Sequence, residues 1–131
     1  MKYFLIIAAV LVIGIVIYSS CATKNNGFKT VGVDEFYKLI ADRESIQLLD
    51  VRSQSEYNEG HIAGAKLIDV NDSTFIDKAS AQLNKQKPVA VYCRSGRRSA
   101  KAANEMVKAG YKVINLDGGI IAWQDAGKNV E

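Results

Sequence analysis

The spacing of apolar residues along the chain predicts alternating strands and helices. Short apolar runs predict strands at 45–51, 66–70, 89–93 and 113–116. Helical spacing of apolar side chains predicts helices at 32–40, 75–83, 100–107 and 120–123. The run 89–93 is apolar throughout, which is typical of a parallel strand covered on both faces. Because strands alternate with helices, the pattern predicts a small α/β domain with a mainly parallel central sheet flanked by helices.

The beginning of the chain follows a different pattern. Lys2 precedes an apolar run at 3–18, which is followed by Ser19, Ser20 and Cys21. The length of this run lies between the roughly 7 to 15 residues of a signal-peptide core and the roughly 20 residues of a membrane-spanning helix. We therefore expect residues 1–21 to be an export signal or a membrane anchor.

The end of this segment, Ser19-Ser20-Cys21, resembles a bacterial lipoprotein signal, in which the cysteine is lipidated and becomes the new N-terminus. The alternative is an uncleaved signal anchor in which Cys21 is an interfacial thiol. Both interpretations send the rest of the chain across the membrane, because Lys2 favours a cytoplasmic N-terminus. We expect an exported, membrane-tethered protein of the periplasm or cell envelope, with a tether at 22–27 and one domain at 28–131.

Composition and charge exclude several classes of function. The 131 residues include 17 Lys and Arg against 14 Asp and Glu, which gives a net charge of +3. A nucleic-acid-binding protein would need a larger basic excess gathered on one face, so no nucleic-acid partner is expected. One His and one Cys in the predicted domain are a poor start for a set of metal ligands. Neither a metal nor another cofactor is expected.

The candidate chemistry lies where the run 89–93 ends, in Cys93-Arg94-Ser95-Gly96-Arg97-Arg98-Ser99. Open α/β sheets place their sites where a strand passes into a helix. Backbone N–H groups of a tight loop at a helix N-terminus form a nest for anions, and nearby arginines add positive potential. Such an environment lowers the pKa of a thiol, so Cys93 is predicted to be a nucleophilic thiolate. The alternative, a cysteine that only packs in the core, would not need these basic neighbours.

Four motifs follow one another between Phe28 and Gly127. They are Leu49-Asp50-Val51-Arg52 with Glu56-Tyr57, Gly60-His61-Ile62-Ala63-Gly64-Ala65, Tyr92-Cys93-Arg94-Ser95-Gly96-Arg97-Arg98-Ser99, and Leu116-Asp117-Gly118-Gly119 with Ala122-Trp123. In these motifs and their order, this part of the chain resembles the rhodanese homology domain. One difference is Ala63, which stands where the family usually has a proline.

The resemblance implies sulfur transfer. Cys93 would take sulfane sulfur from a small anionic donor such as thiosulfate, form a persulfide, and pass the sulfur to cyanide or to a thiol, which can belong to a protein. The expected substrate-binding residues are Arg94, Ser95, Gly96, Arg97 and Arg98. The expected structural support of the active loop comes from Asp50, Arg52 and Ser99.

Three alternative functions remain open. Phosphatases and arsenate reductases of the same fold family have five residues between the cysteine and an arginine, whereas four residues separate Cys93 from Arg98. Thiol–disulfide exchange needs a resolving cysteine, which the predicted domain lacks because Cys21 belongs to the N-terminal segment. A non-catalytic binding module is also compatible with the fold, since a fold alone does not determine function.

Other residues are expected to be structural. His61 lies in a turn motif, and Trp123 is expected to pack in the core. Arg52 is expected to pair with Glu56, four residues later, rather than only orienting the active loop.

Overall fold

All strands of the central sheet are parallel, in the order β1-β5-β4-β2-β3. The computed structural model describes residues 27–131. The strands are β1 (Phe28–Val31), β2 (Gln47–Asp50), β3 (Lys66–Leu67), β4 (Val89–Tyr92) and β5 (Val113–Leu116). The helices are α1 (Val33–Leu39), α2 (Gln54–Glu59), α3 (Phe75–Gln82), α4 (Arg97–Lys108) and α5 (Gly119–Asp125). The predicted fold class is therefore confirmed.

Helices cover both faces of the sheet. Successive residues of a strand point to opposite faces, so each strand contributes side chains to two cores. Leu49 and Val91 belong to a core with Met106 of α4 and Phe75 of α3. On the other face, Leu48, Ala90 and Leu116 form a second core with α1 and α5. Strand β4 is buried along its whole length, as its apolar sequence predicted.

Two elements were not predicted. Strand β1 pairs with β5 at the edge of the sheet, and only Val31 of its residues is buried, so its sequence carries little apolar signal. Helix α2 buries no residue; it is stabilised by a capping box between Ser53 and Glu56, a local polar signal rather than an apolar one. Strand β3 covers only the start of the predicted 66–70 strand.

The predicted export signal, Cys21 and the tether at 22–27 lie outside the described residues. Within residues 27–131, no helix combines the length and the apolar character that crossing a membrane requires.

Candidate active site

Cys93 lies immediately after β4, at the carboxyl end of the most buried strand, and α4 begins four residues later. Gly96 caps α4 with a φ of +104°, a left-handed conformation that glycine adopts without steric cost. This turn directs the backbone N–H of Gly96 to the Cys93 Sγ at 3.0 Å. The cysteine itself is only 1% exposed.

Hydrogen bonds around Cys93 favour the thiolate. Burial raises the pKa of the Cys93 thiol, but hydrogen bonds from the Ser99 hydroxyl and from the backbone N–H groups of Ser99, Gly96 and Ser95 lower it by more, so the net shift is downward. The same hydroxyl lies 3.1 Å from the Gly96 carbonyl, an alternative acceptor that connects the loop to the first turn of α4. Both effects fit the predicted nucleophile and the predicted supporting role of Ser99.

The loop is held from the side of α5 by two backbone hydrogen bonds. The Ile120 N–H donates to the Cys93 carbonyl at 2.9 Å, and the Ile121 N–H donates to the Arg94 carbonyl at 3.2 Å. Gly119 makes this approach possible: it has a φ of +61°, and a Cβ there would lie 2.6 Å from the Cys93 carbonyl oxygen. Sequence reasoning assigned Gly119 no role, although the paired glycines after β5 were a visible signal.

The three arginines of the loop have different surroundings. Arg98 donates to both carboxylate oxygens of Glu56, with distances of 2.6 and 2.8 Å. Arg94 and Arg97 are exposed and have no carboxylate partner within residues 27–131. A small anion that approaches the loop therefore meets two uncompensated positive charges and one that is paired.

Arg52 and Asp50 form a buried ion pair at the end of β2. The Arg52 guanidinium contacts the Asp50 carboxylate at 2.7 Å and also donates to the Gly60 carbonyl at 2.7 Å. The predicted pairing of Arg52 with Glu56 is wrong, because Arg52 folds back onto Asp50 while Glu56 faces Arg98. Burial lowers the pKa of Arg52, but the hydrogen bond and the charge of Asp50 raise it by more.

Arg52 of this pair lines a crevice beside the loop. The crevice has a volume of about 270 Å³, and its walls also include Glu56, Glu59, Arg94 and Ile120. Asp50 lies beside Tyr92 on the neighbouring strand, and Arg52 and Glu56 lie beside the active loop. The capping box and the Glu56-Tyr57 motif were the sequence signals for Glu56.

The remaining candidates have structural surroundings. His61 stacks on Tyr57 with ring centroids 3.7 Å apart, and its Nδ1 lies 3.0 Å from the Tyr57 carbonyl. Trp123 is buried and donates from Nε1 to the Asn129 carbonyl at 2.9 Å. Within the part of the chain that the structure describes, no group of three or more His, Cys, Asp or Glu side chains is placed to hold a metal ion.

The chain is similar in sequence and in fold to several known proteins. The chain is 36% identical over 118 residues to Thiosulfate sulfurtransferase 18 of Arabidopsis thaliana, an alignment that covers 81% of this chain and 85% of that protein. It is 33% identical over 103 residues to the thiosulfate sulfurtransferase GlpE of Shewanella oneidensis, covering 77% of this chain and 97% of the relative. The crystal structure of a rhodanese-related protein from Thermoplasma volcanium has a TM-score of 0.70 at 29% identity and covers 79% of this chain and 98% of that chain. Residues 32–126 match the family model described as "Rhodanese-like domain", and the chain therefore belongs to the rhodanese-like domain family.

Proposed function

We propose that this protein is a sulfurtransferase that moves sulfane sulfur from a small anionic donor to a thiol or to cyanide through a persulfide on Cys93. The observation that carries the proposal is the surroundings of the Cys93 sulfur, where a backbone N–H points at Sγ at 3.0 Å and the net shift of the thiol pKa is downward. Relatives that are named thiosulfate sulfurtransferases support thiosulfate as the donor.

In the first half-reaction, the Cys93 thiolate attacks the terminal sulfur of thiosulfate. A new S–S bond forms on Cys93, and the old S–S bond breaks with its electron pair leaving on sulfite. The charges balance, because one thiolate and one dianion become one persulfide anion and one sulfite dianion. The Gly96 N–H, 3.0 Å from Sγ, would stabilise the negative charge on sulfur during this exchange, with help from the N–H groups of Ser95 and Ser99.

In the second half-reaction, the acceptor attacks the outer sulfur of the persulfide. Cyanide leaves as thiocyanate, or a thiolate leaves as a new persulfide, and the bonding electron pair returns to the Cys93 thiolate. A relative named as a putative sulfur carrier protein, from Bacillus subtilis, supports a protein thiol as one class of acceptor. The exposed Arg94 and Arg97 attract the anionic donor before the chemistry begins.

The experiment that tests the proposal is the intact mass of the protein before and after thiosulfate, with Cys93→Ser as the control. We expect a gain of one sulfur atom that cyanide reverses and that the variant does not show. No gain, together with alkylation of Cys93 no faster than that of a model thiol, would contradict the proposal and favour a binding module.

We also propose that the domain works outside the cytoplasm, tethered to the membrane by a lipid on Cys21 after residues 1–20 are removed. The apolar run at 3–18 and the Ser19-Ser20-Cys21 ending support this placement. Metabolic labelling with a radioactive fatty acid should mark the wild type and leave Cys21→Ser unmarked. An unmarked wild-type protein that keeps its N-terminal methionine would instead indicate a signal anchor.

A further inference from the structure

Glu56 holds Arg98 in a fixed position beside the active loop. Both oxygens of the carboxylate accept hydrogen bonds from the guanidinium, and Oε1 also accepts one from the Ser53 hydroxyl at 3.0 Å. The two side chains are only 29% and 25% exposed, for Arg98 and Glu56 respectively. A two-point contact of this kind fixes both distance and orientation.

The pair changes the charge that the loop presents. Hydrogen bonding from Arg98, opposed in part by burial, lowers the pKa of Glu56 to about 2, so this carboxylate is ionised at neutral pH. The positive charge of Arg98 is therefore compensated, whereas Arg94 and Arg97 have no carboxylate partner in the described residues. Arg98 and Cys93 lie close enough for their charges to interact.

We infer that Glu56 is a specificity-determining residue that, by compensating Arg98, lowers the preference of the active loop for doubly charged over singly charged sulfur donors. This inference rests on the proposed sulfur transfer. Its physical reason is that a third uncompensated arginine would tighten the binding of dianions in general. Thiosulfate and the departing sulfite are both dianions, so the enzyme would bind its donor better and release its first product more slowly.

Two donors separate the effect of charge from that of chemistry. Thiosulfate carries two negative charges and leaves sulfite, whereas methanethiosulfonate carries one and leaves methanesulfinate. Each donates its terminal sulfur to the Cys93 thiolate, and in each case the S–S electron pair departs with the leaving group. The ratio of kcat/KM for thiosulfate to kcat/KM for methanethiosulfonate then measures the preference for charge.

The first variant is Glu56→Gln in the full-length protein. Glutamine preserves the size of the side chain and can maintain the capping box with Ser53, so α2 should form. We expect the donor ratio to rise by about threefold to tenfold, as an uncompensated charge near an exposed site predicts. We also expect a lower KM for thiosulfate and stronger inhibition by sulfite, two readouts that a loss of structure would not produce.

The matched control is Glu44→Gln, which removes the same charge from the loop before β2, at the opposite end of the parallel sheet from Cys93. Glu44 is exposed and has no ion-pair partner within residues 27–131. Its donor ratio should stay within about twofold of the wild-type ratio because solvent and salt screen exposed charges. An equal rise in both variants would overturn the inference, since the effect would then reflect net charge alone.

The decisive variant combines Glu56→Gln with Arg98→Gln. If Glu56 acts by compensating Arg98, then removal of both charges returns the donor ratio to the wild-type value. If Arg98 instead binds the donor directly, the ratio in the double variant falls below the wild-type value, and the inference is wrong. A wild-type protein that transfers sulfur from neither donor and gains no sulfur on Cys93 would refute the proposed function itself, which is a separate outcome.

Discussion

Gly119→Ala tests how closely α5 must approach the active loop. The added Cβ would lie 2.5 Å from the Arg94 carbonyl carbon and 2.6 Å from the Cys93 carbonyl oxygen. Both contacts are with backbone atoms, so no side chain can rotate away to relieve them. The loop and α5 must move apart, and the hydrogen bonds from the Ile120 and Ile121 N–H groups to these two carbonyls must break or lengthen.

Gly127→Ala is the matched control, because it imposes the same kind of backbone strain without the clash. The φ angles are +61° at Gly119 and +78° at Gly127, and a Cβ at Gly127 would meet nothing within 4 Å. A left-handed alanine costs about 1 to 2 kcal/mol at either position. Each hydrogen bond lost from the loop costs about 1 kcal/mol more. Gly119→Ala should therefore be less stable than Gly127→Ala by about 2 kcal/mol.

The assay is thermal unfolding of the two variants beside the wild type, followed by the pH dependence of Cys93 alkylation. In a domain of this size, 2 kcal/mol corresponds to a difference in Tm of about 8 °C. The alkylation profile of Gly119→Ala should move to higher pH, because the displaced loop no longer directs the Gly96 N–H at Sγ. Equal stability of the two alanine variants would refute the reasoning, because it would mean that the loop can move away from α5 without lowering the free energy of unfolding.

Further predictions concern the charged and polar neighbours of the loop. Asp50→Asn leaves the buried Arg52 without its ion-pair partner and should lower the free energy of unfolding by about 3 kcal/mol, measured in urea. Ser99→Ala removes a hydrogen bond that lowers the pKa of Cys93. The pH profile of Cys93 alkylation should therefore shift to higher pH than in the wild type. The pKa of Glu56 is lowered from 4.5 to about 2, first by the hydrogen bond from its guanidinium partner, so its stabilising effect is complete above about pH 4.5 and is lost as the pH falls towards 2. Acid titration of Glu56→Gln should therefore show a stability difference from the wild type that shrinks over this range; a constant difference would contradict the assignment.

Much of the fold and the centre of the candidate site could be predicted from local sequence. The buried run at 89–93 predicted β4, and the helical spacing after it predicted α4. The position of Cys93 between them follows directly, because a parallel strand followed by a helix requires a loop at the carboxyl end of the sheet. The sequence also predicted Asp50 at the end of a strand, but its position beside β4 depends on the strand order, which only the structure shows.

The partners of the charged side chains could not be predicted in the same way. Glu56 and Arg98 are 42 positions apart, and only the tertiary fold brings them together. Asp50 and Glu56 both lie near Arg52 in the sequence, and the turn after β2 brings the Arg52 guanidinium to Asp50. Charged side chains can pair in several ways with similar energies. Which ion pairs form therefore depends on the backbone geometry, which the spacing of apolar residues does not encode.

The near-complete burial of Cys93 determines which sulfur atom other molecules can reach. A covered thiolate has little access to another protein's disulfide, so the empty form is shielded from mixed disulfides. In the proposed persulfide, a second sulfur lies about 2 Å beyond Sγ, and this outer atom is the one that an acceptor must reach. The loaded and empty forms would then differ at the mouth of the loop by a single atom. An acceptor that needs contact with this atom would bind productively only when there is sulfur to collect.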